Sequence, residues 1–338
     1  MSMISEANDL AALEAALAGL PGPDAAAESA ARARQNSLTK PPGSLGRLED
    51  LACFIAAWQG EARPRISRAQ AVIFAGNHGI CAQGVNPYPQ EVTAQMVANF
   101  QAGGAAINQL CRASGADLSV LALDLDRPTG DFTQGPAMSP ADTLAALRRG
   151  AEVIDAGAQV LVLGEMGIGN STVAAALAHG AFGGEAADWV GRGTGSDAAG
   201  RARKAEVVAR GVARHAGARG FDLLAALGGR EQAAICGAVL QARALRIPVL
   251  LDGFICTAAV APLFTIAPGL LDHCLVGHVS AEPGHAKLLA AIGKAPILSL
   301  GMALGEGSGA ALALGVLRAA LECHNGMATF AEAGVSDA

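Results

Sequence analysis

From Ala71 onward the chain repeats one unit: an apolar run about the length of a strand, then a longer Ala-rich amphipathic stretch. The runs are Ala71 to Ala75, Leu118 to Leu123, Gln159 to Leu163, Pro248 to Leu251, His273 to Val276 and Pro296 to Leu300. Between them lie Thr93 to Cys111, Pro140 to Ala156, Thr172 to His179, Ala199 to Ala216 and Glu231 to Leu245, whose spacing predicts helices. Strands that alternate with helices predict an α/β fold with a parallel, doubly wound sheet. The runs show almost no polar alternation, as expected of strands covered on both faces. Ahead of them, Ser5 to Ala57 has helical spacing, interrupted by Pro21-Gly22-Pro23 and Pro41-Pro42-Gly43.

A length of 338 residues suits two domains. Apolar residues make up 51% of the chain and mean hydropathy is +0.35, which directs attention to membrane spans. The candidate is Gly253 to Leu271, but Pro262 and Pro268 interrupt it and Asp252 and Asp272 bracket it. A spanning helix needs about 20 predominantly apolar residues, so this stretch is read as buried core. The polar N-terminus with Glu6 does not resemble a secretory signal, and a cytoplasmic protein is expected. Cys53, Cys81, Cys111, Cys236, Cys256, Cys274 and Cys323 are scattered, with no Cys-x-x-Cys pair, and read as reduced, small apolar residues. A net charge of −6 without a Lys/Arg cluster, and 4% aromatics, argue against a nucleic-acid partner.

Chemistry concentrates just after the runs, in Gly76-Asn77-His78-Gly79, Gly164 to Thr172, Asp252-Gly253, Gly277 to Gly284 and Gly301 to Gly309. In open α/β sheets ligands bind beyond the carboxyl ends of the strands, so five such loops on one edge predict a site there. Gly164 to Ser171 nearly spells a P-loop, but Asn170 stands where the lysine belongs, and the stretch is not Gly-x-Gly-x-x-Gly either. What remains is a glycine loop opening a helix whose free N–H groups suit a single phosphate. Gly191-Arg192-Gly193-Thr194-Gly195 is a second such loop, and Lys204 follows on a helix, where the pattern alone favours a solvated lysine. Glu306, between Gly305 and Gly307 in an apolar region, is costly unless it works. It could equally complement the dipole of the helix that follows. His78, His278, His285 and Glu282 lack metal-ligand spacing and read as hydrogen-bonding groups; neither a metal nor a cofactor is expected. Gly-x-Ser-x-Gly is absent. The residues themselves point to a phosphate-binding α/β enzyme.

The chain also resembles a known family over nearly its whole length. The motifs are Lys40-Pro-Pro-Gly-Ser-Leu-Gly-Arg-Leu-Glu49, Asn77-His78-Gly79, Gly135-Pro-Ala-Met-Ser139, Gly164-Glu-Met-Gly-Ile-Gly-Asn170, Leu250-Leu-Asp-Gly-Phe254, His278-Val-Ser-Ala-Glu282 and Leu304-Gly-Glu-Gly-Ser-Gly309. They are similar to those of the nicotinate-nucleotide:5,6-dimethylbenzimidazole phosphoribosyltransferases of cobalamin synthesis. The resemblance implies a Rossmann-like large domain, residues 61–309, and a small helical domain formed by both chain ends, residues 1–60 plus 310–338. It implies a homodimer that converts β-nicotinate mononucleotide and dimethylbenzimidazole to α-ribazole 5′-phosphate and nicotinate.

By the same resemblance Glu306 is the general base, and Glu165 and Lys204 match further active-site positions. Gly167, Gly169, Asn170, Gly191, Gly193, Ser280, Leu304 and Gly305 are expected to bind substrate. Tyr88 and Met96 fall where base-contacting residues are expected, though some members carry Ser and Gln there. A nucleotide-dependent oxidoreductase or ATPase is disfavoured by the absent fingerprint and P-loop lysine. A non-catalytic sensor should have lost a carboxylate, whereas Glu165 and Glu306 are both present. Adenine or another azole stays open as the acceptor.

Overall fold

The computed structural model describes residues 3–336. Each of the six apolar runs forms a strand: β1 (Ala69–Ala75), β2 (Ala116–Ala122), β3 (Val160–Met166), β4 (Val249–Leu251), β5 (Cys274–His278) and β6 (Pro296–Leu298). They make one all-parallel sheet in the order β2-β1-β3-β4-β5-β6. The chain steps outward from β1 to β2, then crosses back to lay β3 on the other side of β1. That reversal opens a crevice at the carboxyl ends of β1 and β3.

Successive residues on a strand point to opposite faces, and in the central strands both faces are buried. Val72, Phe74, Leu161, Leu163, Val249 and Leu251 enter one core with Leu144 and Leu147 of the Pro140–Glu152 helix and Ile235 and Val239 of the Arg230–Ala244 helix. Ala71, Ile73, Val160, Val162 and Leu250 enter the other, with Leu51 and Ile55 of the Arg47–Gln59 helix and Leu314 and Leu317 of the Ser308–Gly326 helix. The sheet is therefore doubly wound.

The small side chains that raise the hydropathy bring helix backbones together. Where the Pro140–Glu152 and Arg230–Ala244 helices cross, a Cβ on Gly150 would overlap the Ala234 carbonyl and one on Gly237 would overlap the Leu147 carbonyl. Gly237→Ala is accordingly expected to lower stability by about 1–3 kcal/mol, the range for overpacking. Urea denaturation checks this; an unchanged midpoint would show that the two helices separate freely.

Three predicted elements differ in detail. Thr93 to Cys111 is two helices, Glu91–Gln101 and Ala106–Ser114, because Gly103 adopts φ +81° between them. The last strand stops at Leu298. Gly253 to Leu271 is core as far as Leu263 and again at Leu270 and Leu271, but residues 267–269 are exposed; it folds as the helices Phe254–Ala259 and Ala261–Ile266 and the 3₁₀ turn Pro268–Leu271. No helix among the described residues is long and apolar enough to cross a membrane.

The two ends of the chain meet. Arg34 donates to the carbonyls of His324 (2.7 Å), Asn325 (3.2 Å) and Met327 (3.0 Å), taking up carbonyls that the end of the Ser308–Gly326 helix leaves open. Gln35 Nε2 lies 2.8 Å from His324 Nδ1, and Leu38 pairs with Thr329 in an antiparallel bridge.

Candidate active site

Four buried acids gather at the carboxyl ends of the strands: Glu165 within β3, Asp252 just after β4, Glu306 beyond β6, and Glu231 in the first turn of the Arg230–Ala244 helix, against Gly76 at the end of β1. Glu165 lies within β3, in register with Phe74 of β1, and is only 5% exposed. Its Oε2 accepts a hydrogen bond from Asn170 Nδ2, at the start of the Asn170–Phe182 helix. Glu306 sits on a turn of three successive left-handed residues: Gly305 at φ +81°, Glu306 at +66° and Gly307 at +90°. Glutamate rarely adopts that conformation, so its surroundings must impose it.

Two contacts do so. Asp252, at the end of β4, accepts the N–H of Gly307 through Oδ2 (3.1 Å) and that of Ala310 through Oδ1 (2.9 Å). Gly164 of β3 lies so close beneath Glu306 that a Cβ there would overlap the Glu306 carbonyl. The turn also closes over Glu165, since a Cβ on Gly305 would stand 2.7 Å from Glu165 Oε1.

Crowding acids into a buried crevice makes each harder to ionise. Burial, then the charges of Asp252 and Glu231, push the Glu165 carboxyl up to about 8. Burial and Asp252 push Glu306 up to about 7. Glu306 Oε2 is buried and has no hydrogen-bond partner within the protein. A buried acceptor without a donor is rare, and here it offers a carboxylate near neutrality ready to take a proton.

The other pole of the site is cationic. Lys204, on the Ala198–Arg214 helix, is not the solvated lysine its helical pattern favours: it is 3% exposed and donates to Ser171 Oγ at 3.3 Å. Burial lowers its pKa, against which the charge of Glu282 works. Gly193 lies over the ammonium, and a Cβ there would stand 2.9 Å from Nζ. Glu282 seats that loop by accepting the Gly193 N–H through Oε1 (2.9 Å), and Gly191 abuts the same carboxylate with no room for a side chain. Ser280 Oγ in turn accepts the Glu282 N–H at 3.2 Å.

The histidines hold this frame. His285 Nδ1 accepts the Ser280 N–H at 2.8 Å, and burial keeps its ring neutral by holding its pKa down to about 3. His78 Nε2 lies 2.8 Å from Glu231 Oε1, both side chains fully buried. Among the described residues no group of three His, Cys, Asp or Glu side chains is placed to hold a metal.

Gly167 and Gly169 lie on the loop between β3 and the Asn170–Phe182 helix, where Thr93 Oγ1 accepts the Ile168 N–H at 3.1 Å. That bond fixes the Glu91–Gln101 helix beside the loop. Met96 of this helix packs against the core around Ile73 and Ile107, while Tyr88, on the preceding loop, is 50% exposed. Leu304 is exposed beside Gly305. Motif reading passed over Glu231, and it placed Asp252 and Ser171 within loops without giving either a role. Asp252 had a signal, a charge that ends a wholly apolar strand; Glu231 had none, because a glutamate in the first turn of a helix reads as a dipole partner.

A family profile described as phosphoribosyltransferase matches residues 20–335. A protein of Rhodobacter capsulatus is 67% identical over 94% of this chain and 95% of its own, and one of Ruegeria pomeroyi is 61% identical over 99% and 100%. Both are named nicotinate-nucleotide–dimethylbenzimidazole phosphoribosyltransferase. The crystal structure of CobT from Thermus thermophilus superposes with a TM-score of 0.87 at 43% identity, covering 93% of this chain and all of that one.

Proposed function

The chain belongs to the nicotinate-nucleotide–dimethylbenzimidazole phosphoribosyltransferase family, and on that premise we propose a mechanism in which Glu306 is the general base. The reaction moves the phosphoribosyl group of nicotinate mononucleotide to dimethylbenzimidazole, giving α-ribazole 5′-phosphate and nicotinate. The observation that carries the proposal is the buried, unpartnered Oε2 of Glu306, on a carboxyl poised at about 7.

The lone pair of one benzimidazole nitrogen forms a bond to C1′ from the face opposite nicotinate, and β becomes α. The C1′–nitrogen bond to nicotinate breaks with its electron pair returning to the ring, which neutralises the pyridinium, so no general acid is needed. Bond formation leaves the benzimidazole cationic and its second N–H acidic, and Glu306 takes that proton. Inversion makes a covalent protein nucleophile unnecessary. In this reading Glu165, held protonated by its surroundings at neutral pH, adds a donor rather than a third negative charge beside Glu306.

The nucleotide's phosphate would be anchored by Lys204, Ser171 and the backbone of the loops carrying Gly167, Gly169, Asn170, Gly191 and Gly193. A hydrogen-bonded ammonium beside the start of the Asn170–Phe182 helix supports this assignment. Such a remote anchor aligns the ribose and raises the rate through positioning. Ser280 and Gly305 lie beside these poles, and the apolar side chains of Tyr88, Met96 and Leu304 suit a flat aromatic base. The same reading gives a cytoplasmic homodimer, with residues 1–60 and 310–338 as a small helical unit. The contacts of Arg34 and Gln35 with residues 324–327 support a join between the two ends, whose Arg47–Gln59 and Ser308–Gly326 helices also cover one face of the sheet. Residues 1–2 and 337–338 lie outside the described residues.

The test follows nicotinate release and α-ribazole phosphate formation by chromatography across pH 5.5 to 8.5. Because the base form of Glu306 is lost as pH falls through about 7, kcat should fall about tenfold per unit below that point, and it should turn down again above about 8, where Glu165 loses the proton it donates. A flat profile would remove Glu306 as the base, and nicotinate release without the acceptor would indicate a hydrolase.

A further inference from the structure

We infer that Asp252 is the positioning residue of this site: its two carboxylate oxygens hold the left-handed turn that presents Glu306, and its charge acts on Glu306 through space. The inference rests on the reading of Glu306 as base and adds what makes that base possible. Both oxygens serve as acceptors, Oδ2 for Gly307 and Oδ1 for Ala310, a role the ionised form fills without rearrangement. These bonds flank Glu306 on its C-terminal side and fix the start of the Ser308–Gly326 helix to the end of β4.

The seat of Asp252 is itself rigid. His278 Nε2, at the end of β5, stands 3.5 Å from Oδ1, and the imidazole is walled in by glycines. A Cβ on Gly253 would come within 2.9 Å of His278 Nε2, and one on Gly309 would overlap the ring. A Cβ on Gly277 would stand 2.6 Å from Ala310 Cα, so β5 and the helix cannot slide apart. The charged and titratable groups around the pair are Glu165 on β3, Glu231 on the Arg230–Ala244 helix, His278 on β5 and Cys256 below. Burial pushes the Asp252 carboxyl up, while His278 and the amides of residues 307, 309 and 310 favour its charged form. Asp252 is the one charge that raises both Glu306 and Glu165 most, after burial.

A residue that merely caps a helix would change stability and leave the proton chemistry alone. The experiment therefore records pH–kcat profiles and the KM for nicotinate mononucleotide in the wild type, Asp252→Asn and Asp252→Glu. Asp252→Asn removes the charge and turns an amide donor toward a backbone N–H. Its acid limb should move about one unit lower, and its maximal kcat should fall at least about thirtyfold, with KM changed by less than about threefold. Asp252→Glu keeps the charge but displaces it, so its limb should stay at the wild-type pH while kcat falls at least about tenfold. An Asp252→Asn limb at the wild-type position overturns the inference. Should that variant not fold, an Asp252→Glu enzyme with wild-type kcat does the same. The residual activity of Glu306→Gln separates the two readings. An acid limb that persists there removes Glu306 as the base, whereas a lost limb together with an unmoved Asp252→Asn profile defeats only the role of Asp252.

Discussion

Glu306→Gln should lose about 10² to 10⁴ of kcat, the range for a removed general base, while binding nicotinate mononucleotide within a few fold of the wild type. The replacement is nearly isosteric, and the turn is held through its backbone by Asp252 and Gly164, neither of which the substitution touches. What disappears is the affinity of one buried oxygen for a proton. An amide can accept a hydrogen bond from the benzimidazole N–H but cannot remove the proton as the new bond forms. Single-turnover measurement of the chemical step is the check, since it excludes product release. A rate within tenfold of the wild type would mean that the proton leaves by another route. Alanine would be the poorer probe, because it opens a hole as well as removing the base.

The second large effect is on stability. Glu165→Gln is expected to stabilise the ligand-free protein at pH 8 by on the order of 4 kcal/mol and, since it keeps a neutral donor in place, to lose far less activity than Glu306→Gln. The carboxyl of Glu165 is raised in the folded state from 4.5 to about 8. Its protonated form is therefore the one the fold prefers. Its contribution is complete below the unfolded value and is lost as pH rises through the folded one, at about 1.36 kcal/mol per unit of difference. The wild type should thus weaken between about pH 4.5 and 8, and the glutamine variant, which mimics the protonated acid permanently, should not. Glutamine can still accept from Asn170, so the local hydrogen bond survives. Urea denaturation at pH 5 and pH 8 decides it: near-equal stability at pH 5 with a gain at pH 8 is the expected pattern. An equal gain at both pH values would place the effect in packing rather than charge. A site that stores such a penalty when empty trades stability for function.

The sheet was legible because its central strands β1, β3, β4 and β5 are covered on both faces, which leaves uninterrupted apolar runs, whereas the edge strand β2 keeps Asp117 and Ser119 exposed. The loops at the carboxyl ends were legible for the same reason, since glycine and charge stand out after such a run. Glu306 and Glu165 belong to this class. Lys204 did not, because an amphipathic helix reads as one buried and one wet face, and the wet face here turns against the Asn170–Phe182 helix. Asp252 was visible as a residue but not as a contact: its partners at 307 and 310 lie more than fifty positions away and are backbone groups, which carry no sequence signature. Helix limits were lost where Gly103 breaks what the apolar period presents as one segment.

The seal at the chain ends sets an order of events. Arg34 and its carbonyl partners lie 290 or more positions apart, so almost the whole polypeptide is a loop closed by that contact. During synthesis Arg34 waits for carbonyls that emerge only after every strand of the sheet. Closure of so long a loop adds little entropy cost over a loop half its length, yet it comes late. The helix that Glu306 introduces is the one that Arg34 caps. The base is thus carried by an element whose far end is secured only once residues 324–327 are in place, and a protein cut short before residue 324 would lack that closure.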